Sequence, residues 1–266
     1  LYTEYPFEKY GMVPVQPFDF GGMEHQTMTT VHRNWLRTAD QPGIAHELMH
    51  QWTGDLVTCA SFKDIWLNEG GATFGEALWA EAEGGADAYT DVMLNKRFLY
   101  LVYPSNDIPA YNPAATASVF NYATTYAKAG WVYHMLRRML GDDVFFPTMR
   151  KYLTEFAHQS IETKDMADFF EREVSNPPVP FSTFFEQWIY SAKHPVYKTS
   201  YNTYPKNGNV YPVTAIIEQT QSGTLVPDVF VMPLTLTMLG ASGERETIQF
   251  LNDQRIQTLK LSAPFP

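Results

Sequence analysis

Hydrophobic and polar positions divide the chain into two regimes that change over near residues 195–200. The first thirty residues look extended. Residues 11–20 mix β-branched and aromatic side chains with two prolines, which suits an edge strand or its flank, and Gly21-Gly22 follows. From about 40 to 195 the signals are helical. Helices are predicted over 39–53, running up to Gly54; over 64–83, stopped by Gly84-Gly85; and over 86–102, with Pro104 just beyond. Residues 104–118 are rich in Pro, Ser, Asn and Ala and read as a loop. A helix over 124–140 ends at Gly141, and shorter helical segments follow near 142–157, 164–174 and 182–192, with Thr163 and Ser182 as N-caps. Beyond Pro195 the pattern alternates or turns β-branched over 210–219, 228–239, 246–252 and 256–261, with Gly-containing turn clusters between. That spacing predicts a small antiparallel sandwich. The expected organisation is a mainly helical unit over 1–197 and a β unit over 198–266, an α+β class.

Composition narrows the function. Hydrophobic residues are 45% and charged residues 18%, an ordinary globular balance. The net charge of −10 argues against a nucleic-acid partner. The single Cys59 leaves no intramolecular disulfide. No apolar run approaches the ~20 residues that span a membrane, and the first residues lack the basic start and apolar core of a signal peptide. The chain begins with Leu, not Met, so it reads as a piece of a longer protein. It is expected to be soluble, with the parent cytoplasmic or exported.

The chemistry starts at His46-Glu47-Leu48-Met49-His50. On a helix, positions i and i+4 share one face, so both imidazoles can reach one metal ion. Glu47 lies beside them, where it can hold a water without being a ligand. A catalytic zinc takes three protein ligands and keeps a fourth position open. Glu69, nineteen positions after His50 with eighteen residues between, within Trp66–Gly70, sits where a second helix can return antiparallel and complete a His₂Glu set. Alone, Glu69 reads first as a solvated helix-face carboxylate, against which its apolar neighbours Ile65, Trp66 and Leu67 argue, and Tyr126, in an aromatic-rich stretch, reads first as packing. Asp55 and Glu76 are candidates to accept a hydrogen bond from the far nitrogen of a ligating histidine. The other histidines, His25, His32, His134, His158 and His194, lack ligand-like spacing and read as structural or surface residues.

These motifs together resemble the gluzincin aminopeptidases, the family of aminopeptidase N. Gly21-Gly22-Met23-Glu24-His25 resembles the family's Gly-x-Met-Glu-Asn exopeptidase motif, and Gln51–Thr58 the continuation after its second histidine. Thr125–Gly130 resembles its Tyr-x-Lys-Gly-Ala segment. His25 stands where Asn is usual, and Ala129-Gly130 inverts the usual pair. The resemblance runs from about residue 4 to the C-terminus.

The resemblance implies a thermolysin-like zinc-peptidase fold and release of N-terminal residues from peptides. One zinc per chain is expected on His46, His50 and Glu69, with a zinc-bound water activated by Glu47. Tyr126 would donate to the oxyanion of the tetrahedral intermediate, and Glu24 would pair with the free α-ammonium. Gly21, Gly22 and Met23 would line the edge where substrate lies. The bland alternative for this edge is a Gly-Gly bulge with an exposed Glu24. Relatives also carry an N-terminal β domain, expected to be a partner of this chain in its parent. The alternative function is a zinc-binding but catalytically incompetent piece that lacks this domain. A third is another hydrolase on the same site, since one branch of the family opens an epoxide.

Overall fold

The architecture comes from a computed structural model that describes residues 2–103, 106–111 and 119–265. Of the loop expected over 104–118, residues 104–105 and 112–118 lie outside the described residues.

The extended start becomes a three-stranded sheet. Strands β1 (Met12–Val15) and β2 (Gly22–Met23) flank β3 (Thr29–His32), parallel and antiparallel to it respectively. Thr29 and Val31 point inward on β3 and are fully buried, so the sheet presents β2 as a short free edge. The helix expected over 39–53 is shorter. Helix α1 (Arg33–Thr38) comes first, and Ala39 ends it in the left-handed region at φ 52°. Asp40 then caps α2 (Gln41–Met49), accepting from the Gly43 amide at 3.1 Å. An alanine forced left-handed and an aspartate beside it form a break that hydrophobic periodicity alone does not register.

The two helices expected over 64–83 and 86–102 are one long element, α3 (Trp66–Val102), entered through a 3₁₀ turn at Phe62–Asp64. The glycine signal was real but local. Gly85 takes φ 77°, ψ −167°, which breaks the helix internally rather than ending it. Tyr122–Lys128 is wound as a π-helical turn, capped by the Asn121 side chain, and runs into α4 (Ala129–Leu140), which ends at Gly141. Helices α5 (Asp142–Glu155) and α6 (Thr163–Glu173) follow, then α7 (Phe181–Phe185), continued by a π-helical turn at Glu186–Tyr190. Neither expected cap holds. Glu162 caps α6 in a reciprocal pair with Asp165, while Thr163 turns inward to Asp64; Ser182 lies inside α7, behind Pro180. A short parallel pair, β4 (Val57–Cys59) with β5 (Gln159–Ile161), ties the halves of the helical region together.

The C-terminal region forms two antiparallel sheets. One has β7 (Tyr211–Gln219) between β6 (Tyr197–Thr203) and β10 (Ile256–Ala263); the other is a hairpin of β8 (Met232–Leu239) and β9 (Arg245–Asn252). Strand β6 was not expected. Its sequence is mostly polar and its side chains are almost all exposed, so it carries no alternation to read. Buried amides join the sheets where Gln219 Nε2 donates to Asn252 Oδ1 at 2.5 Å.

One aromatic core fixes these parts. Trp66, Phe74, Tyr133, Phe145 and Phe185 are all at most 1% exposed. Phe230, from the C-terminal region, packs on Trp188 with ring centroids 5.1 Å apart, and the Gln187 side chain bonds both backbone groups of Val231. Arg137 crosses three helices, bidentate to Glu81 and to Asp142 and lying over the Tyr89 and Phe146 rings.

Candidate metal centre and active-site cleft

Helix α2 supplies the first imidazole and the glutamate; the second imidazole is its C-terminal cap, His50. Helix α3 brings Glu69 against them from its first turn. The helices approach closely because α3 carries glycines on the shared face. A Cβ at Gly75 would lie 2.5 Å from Met49 Cγ, and one at Gly71 2.5 Å from Thr53 Oγ1. Glu69 Oε2 sits 3.2 Å from His46 Nε2 and 3.3 Å from His50 Nε2. One ligand atom from each of His46, His50 and Glu69 thus falls within 4.8 Å of the others.

The outer partners set which nitrogen faces inward. His50 Nδ1 donates to the Thr53 carbonyl at 3.0 Å, an oxygen that can only accept. His46 Nδ1 faces Glu76 Oε1 at 3.0 Å. With both Nδ1 atoms engaged on their outer sides, both Nε2 atoms face Glu69. Glu76 meets the far nitrogen of a histidine; Asp55 does not, and takes the Gln51 Nε2 hydrogen at 2.7 Å instead.

The electrostatics fit a bound dication. Burial works against charge on the imidazoles, yet hydrogen bonds to Glu69 and Glu76 raise His46 to about 9, and the Glu69 charge raises His50 to about 10. Burial also works against charge on Glu69, but the two histidines hold it far below the usual carboxylate range. The carboxylates therefore favour positive charge where the two Nε2 atoms converge, a charge that protons carry in the metal-free site and that a metal ion would supply in their place. Two nitrogens and one carboxylate oxygen suit a borderline transition-metal ion. A second observation agrees. Glu47 is buried, its Oε2 has no hydrogen-bond partner, and burial raises its carboxyl to about 7. A buried carboxylate oxygen without a partner, in the cleft that holds the cluster, is available to a polar group held at the metal.

One cleft of about 1210 Å³ contains the rest of the expected site: Gly21, Gly22, Met23 and Glu24 from the β2 edge, and Tyr126 from the π-helical turn. Glu24 Oε1 is 3.9 Å from His50 Nδ1. Gly22 lies against the Glu47 carboxyl, so close that a Cβ there would fall 2.1 Å from its Oε1. The Tyr126 ring stacks on His46 at 6.0 Å and 25°, and burial together with Glu69 pushes its phenol well above the usual range. The phenol therefore keeps its proton and remains a donor.

Three residues to which the sequence assigned no role shape this cleft. Trp35 fills the space that the bare Gly21 and Gly43 leave. Gln51, fully buried, accepts from the Thr27 amide and donates to the Glu24 carbonyl and Asp55, tying the edge turn to the metal helix. Its place directly after His50 was the only available signal. Lys96, from beyond the Gly85 break, had none. Of the remaining histidines, His32 caps α1, His134 meets Tyr89, and His194 meets Tyr100.

Residues 1–188 match the description "Peptidase family M1 domain". The chain belongs to peptidase family M1. It is 27% identical to Aminopeptidase N of Rattus norvegicus, over 87% of this chain and 26% of that protein. It is 28% identical to Aminopeptidase Ey of Gallus gallus, over 91% of this chain and 27% of the relative. The M1 zinc metallopeptidase of Deinococcus radiodurans superposes with a TM-score of 0.60 at 27% identity, covering 70% of this chain and 40% of that one. Aminopeptidase A of Legionella pneumophila superposes over 94% of this chain and 29% of its own with a TM-score of 0.74; at 18% identity it speaks to the fold alone. The chain spans about a quarter of the length of these curated relatives. No helix among the described residues is long and apolar enough to cross a membrane.

Proposed function

We propose that this M1 chain carries the catalytic centre of a zinc aminopeptidase, a hydrolase that releases N-terminal residues from peptides. The observation that carries the reading is the meeting of His46, His50 and Glu69 with Glu24 of the β2 edge in one cleft. His46 Nε2, His50 Nε2 and a Glu69 oxygen hold one zinc per chain. When bound, zinc supplies Lewis-acid polarisation of the scissile carbonyl and lowers the pKa of a water to about 7.

The protein's own groups do the rest. Glu47 takes the proton of the attacking water on Oε2 and returns it to the leaving amine. Tyr126 donates its phenolic hydrogen to the developing oxyanion, a contribution on the order of 2.7–4 kcal/mol. Glu24 pairs with the substrate α-ammonium, whose pKa of about 8 keeps it charged at neutral pH. Gly21, Gly22 and Met23 offer the substrate backbone a close, unobstructed strand edge. Residues 1–197 form the catalytic unit on this reading, and 198–266 the β unit that packs against it. The parent's N-terminal domain is proposed as the partner that completes the cleft.

The test is metal exchange. Removal of zinc with a chelator should abolish release of N-terminal residues, and one equivalent of zinc should restore it. Activity that survives complete metal removal refutes the reading. Stoichiometric zinc without turnover instead supports the alternative of a zinc-binding but incompetent piece.

A further inference from the structure

We infer that Lys96 is a positioning residue of this centre, coupling the orientation of His46 to that of Tyr126; the inference rests on the proposed reading of the cleft.

The inward face of α3 beyond its break is read from its buried residues Tyr89, Met93, Lys96 and Tyr100, spaced by three and four positions. Lys96 therefore occupies a core-facing position where an apolar side chain is the ordinary choice, and it is 8% exposed. A buried ammonium is retained only where specific partners compensate for its lost hydration. Lys96 has two. Its Nζ lies 2.6 Å from Glu76 Oε2 and 3.4 Å from the Tyr122 hydroxyl.

Each partner leads back to the metal centre. The other oxygen of Glu76 faces His46 Nδ1 at 3.0 Å. On the second side, the Tyr122 ring stacks on Tyr126 at 5.8 Å and 18°, and Tyr126 stacks on His46 at 6.0 Å and 25°. The contacts close a circuit: His46, Glu76, Lys96, Tyr122, Tyr126 and back to His46. Lys96 is the only Lys or Arg among the described residues lining the cleft. It links the carboxylate arm to the tyrosine arm on the side of the circuit away from His46. Without it, Glu76 would be left with its contact to His46 and with its other oxygen unneutralised. The carboxylate would be free to turn toward water, and the His46 Nδ1 hydrogen would lose its fixed acceptor. Carboxylates that orient ligating histidines are worth about 10–100-fold in metal affinity. The π-helical turn carrying Tyr126 would lose its Lys96 hydrogen bond to α3 at the same time.

The alternative is an ion pair that only stabilises the fold, and the variants Lys96→Met, Lys96→Arg and Glu76→Gln separate the two. Three readouts are taken: zinc affinity by chelator competition, the His46 ring-nitrogen resonances of metal-free protein, and kcat and KM separately. Lys96→Met should weaken zinc about 10–100-fold and shift or broaden the His46 Nδ1–H resonance. It should lower kcat with KM nearly unchanged, and Lys96→Arg should recover most of each loss. In the Glu76→Gln background, Lys96→Met should add less than about twofold to the loss of zinc affinity, because its action on the metal runs through that carboxylate. The double variant buries no lone charge and keeps the test open should Lys96→Met alone fail to fold. Wild-type zinc affinity and His46 resonances in Lys96→Met overturn the inference, as does a Lys96→Arg protein as impaired as Lys96→Met. Absence of zinc binding in the wild-type chain would fail the functional reading instead.

Discussion

Replacing Lys128 by Met should stabilise the protein near neutral pH and remove part of its pH dependence. Lys128 ends the π-helical turn that carries Tyr126 and is 2% exposed. Its Nζ donates to the Ser191 carbonyl at 3.1 Å, and burial alone lowers its pKa from 10.5 to about 7. The folded state thus prefers the neutral amine, while the unfolded chain holds its proton up to about pH 10.4. The unfolded state binds more protons between those values, so this group makes stability rise with pH from about 7 to about 10.4 and adds no slope below. Integrated over that window the effect is on the order of 4 kcal/mol. Methionine keeps the length, loses the titration and leaves the Ser191 carbonyl without this donor, which costs about 1–3 kcal/mol. The net gain at pH 7 is then about 1–3 kcal/mol, fading to a loss above about pH 10. Urea denaturation of both proteins at a series of pH values reads it directly. Two stability curves that run parallel across the window would show that Lys128 is not buried in its neutral form, and the reasoning would fail.

Glu47→Gln should keep zinc and lose about 10²–10⁴-fold in kcat; loss of the metal would make Glu47 a ligand instead. Tyr126→Phe should keep zinc and lose about 10²–10³-fold, concentrated in kcat, and an unchanged kcat would return this ring to packing. Alanine at His46, His50 or Glu69 should abolish zinc binding by elemental analysis, and full zinc in Glu69→Ala would remove Glu69 from the ligand set. Arg137→Met removes charge-assisted hydrogen bonds to Glu81 and Asp142, so thermal or urea unfolding should report a loss of about 1.5–3 kcal/mol with zinc content unchanged.

Local spacing made the centre of the site legible. His46 and His50 stand one helical turn apart, and Glu69 returns on the next helix, so short-range geometry nearly dictates their meeting. Glu24 and Tyr126 reached the list only through resemblance, because nothing in their neighbourhoods distinguishes a cleft residue from a packed or exposed one. The roles of Lys96, Gln51 and Trp35 were illegible for a different reason: they come from tertiary approach. Lys96 reaches the centre only after a helix has broken at Gly85 and returned to register. In the fold, periodicity located the helices but misjudged their ends wherever backbone conformation decided them. Ala39 at φ 52° and the inward turn of Thr163 to Asp64 are such cases. Strand β6 escaped because an exposed polar strand is held by its ladder to β7, not by a buried face.

The most direct test of the aminopeptidase reading is turnover of one aminoacyl substrate presented with a free amine and with an N-acetyl cap, by the zinc-loaded chain and by its Glu24→Ala variant. The account predicts that the chain cleaves the free-amine substrate and all but ignores the capped one. It also predicts that Glu24→Ala loses the free-amine substrate mainly through KM, while zinc content stays unchanged. Equal cleavage of both substrates, unaltered by the loss of Glu24, would show that the metal centre does not select a free N-terminus and would contradict the assignment.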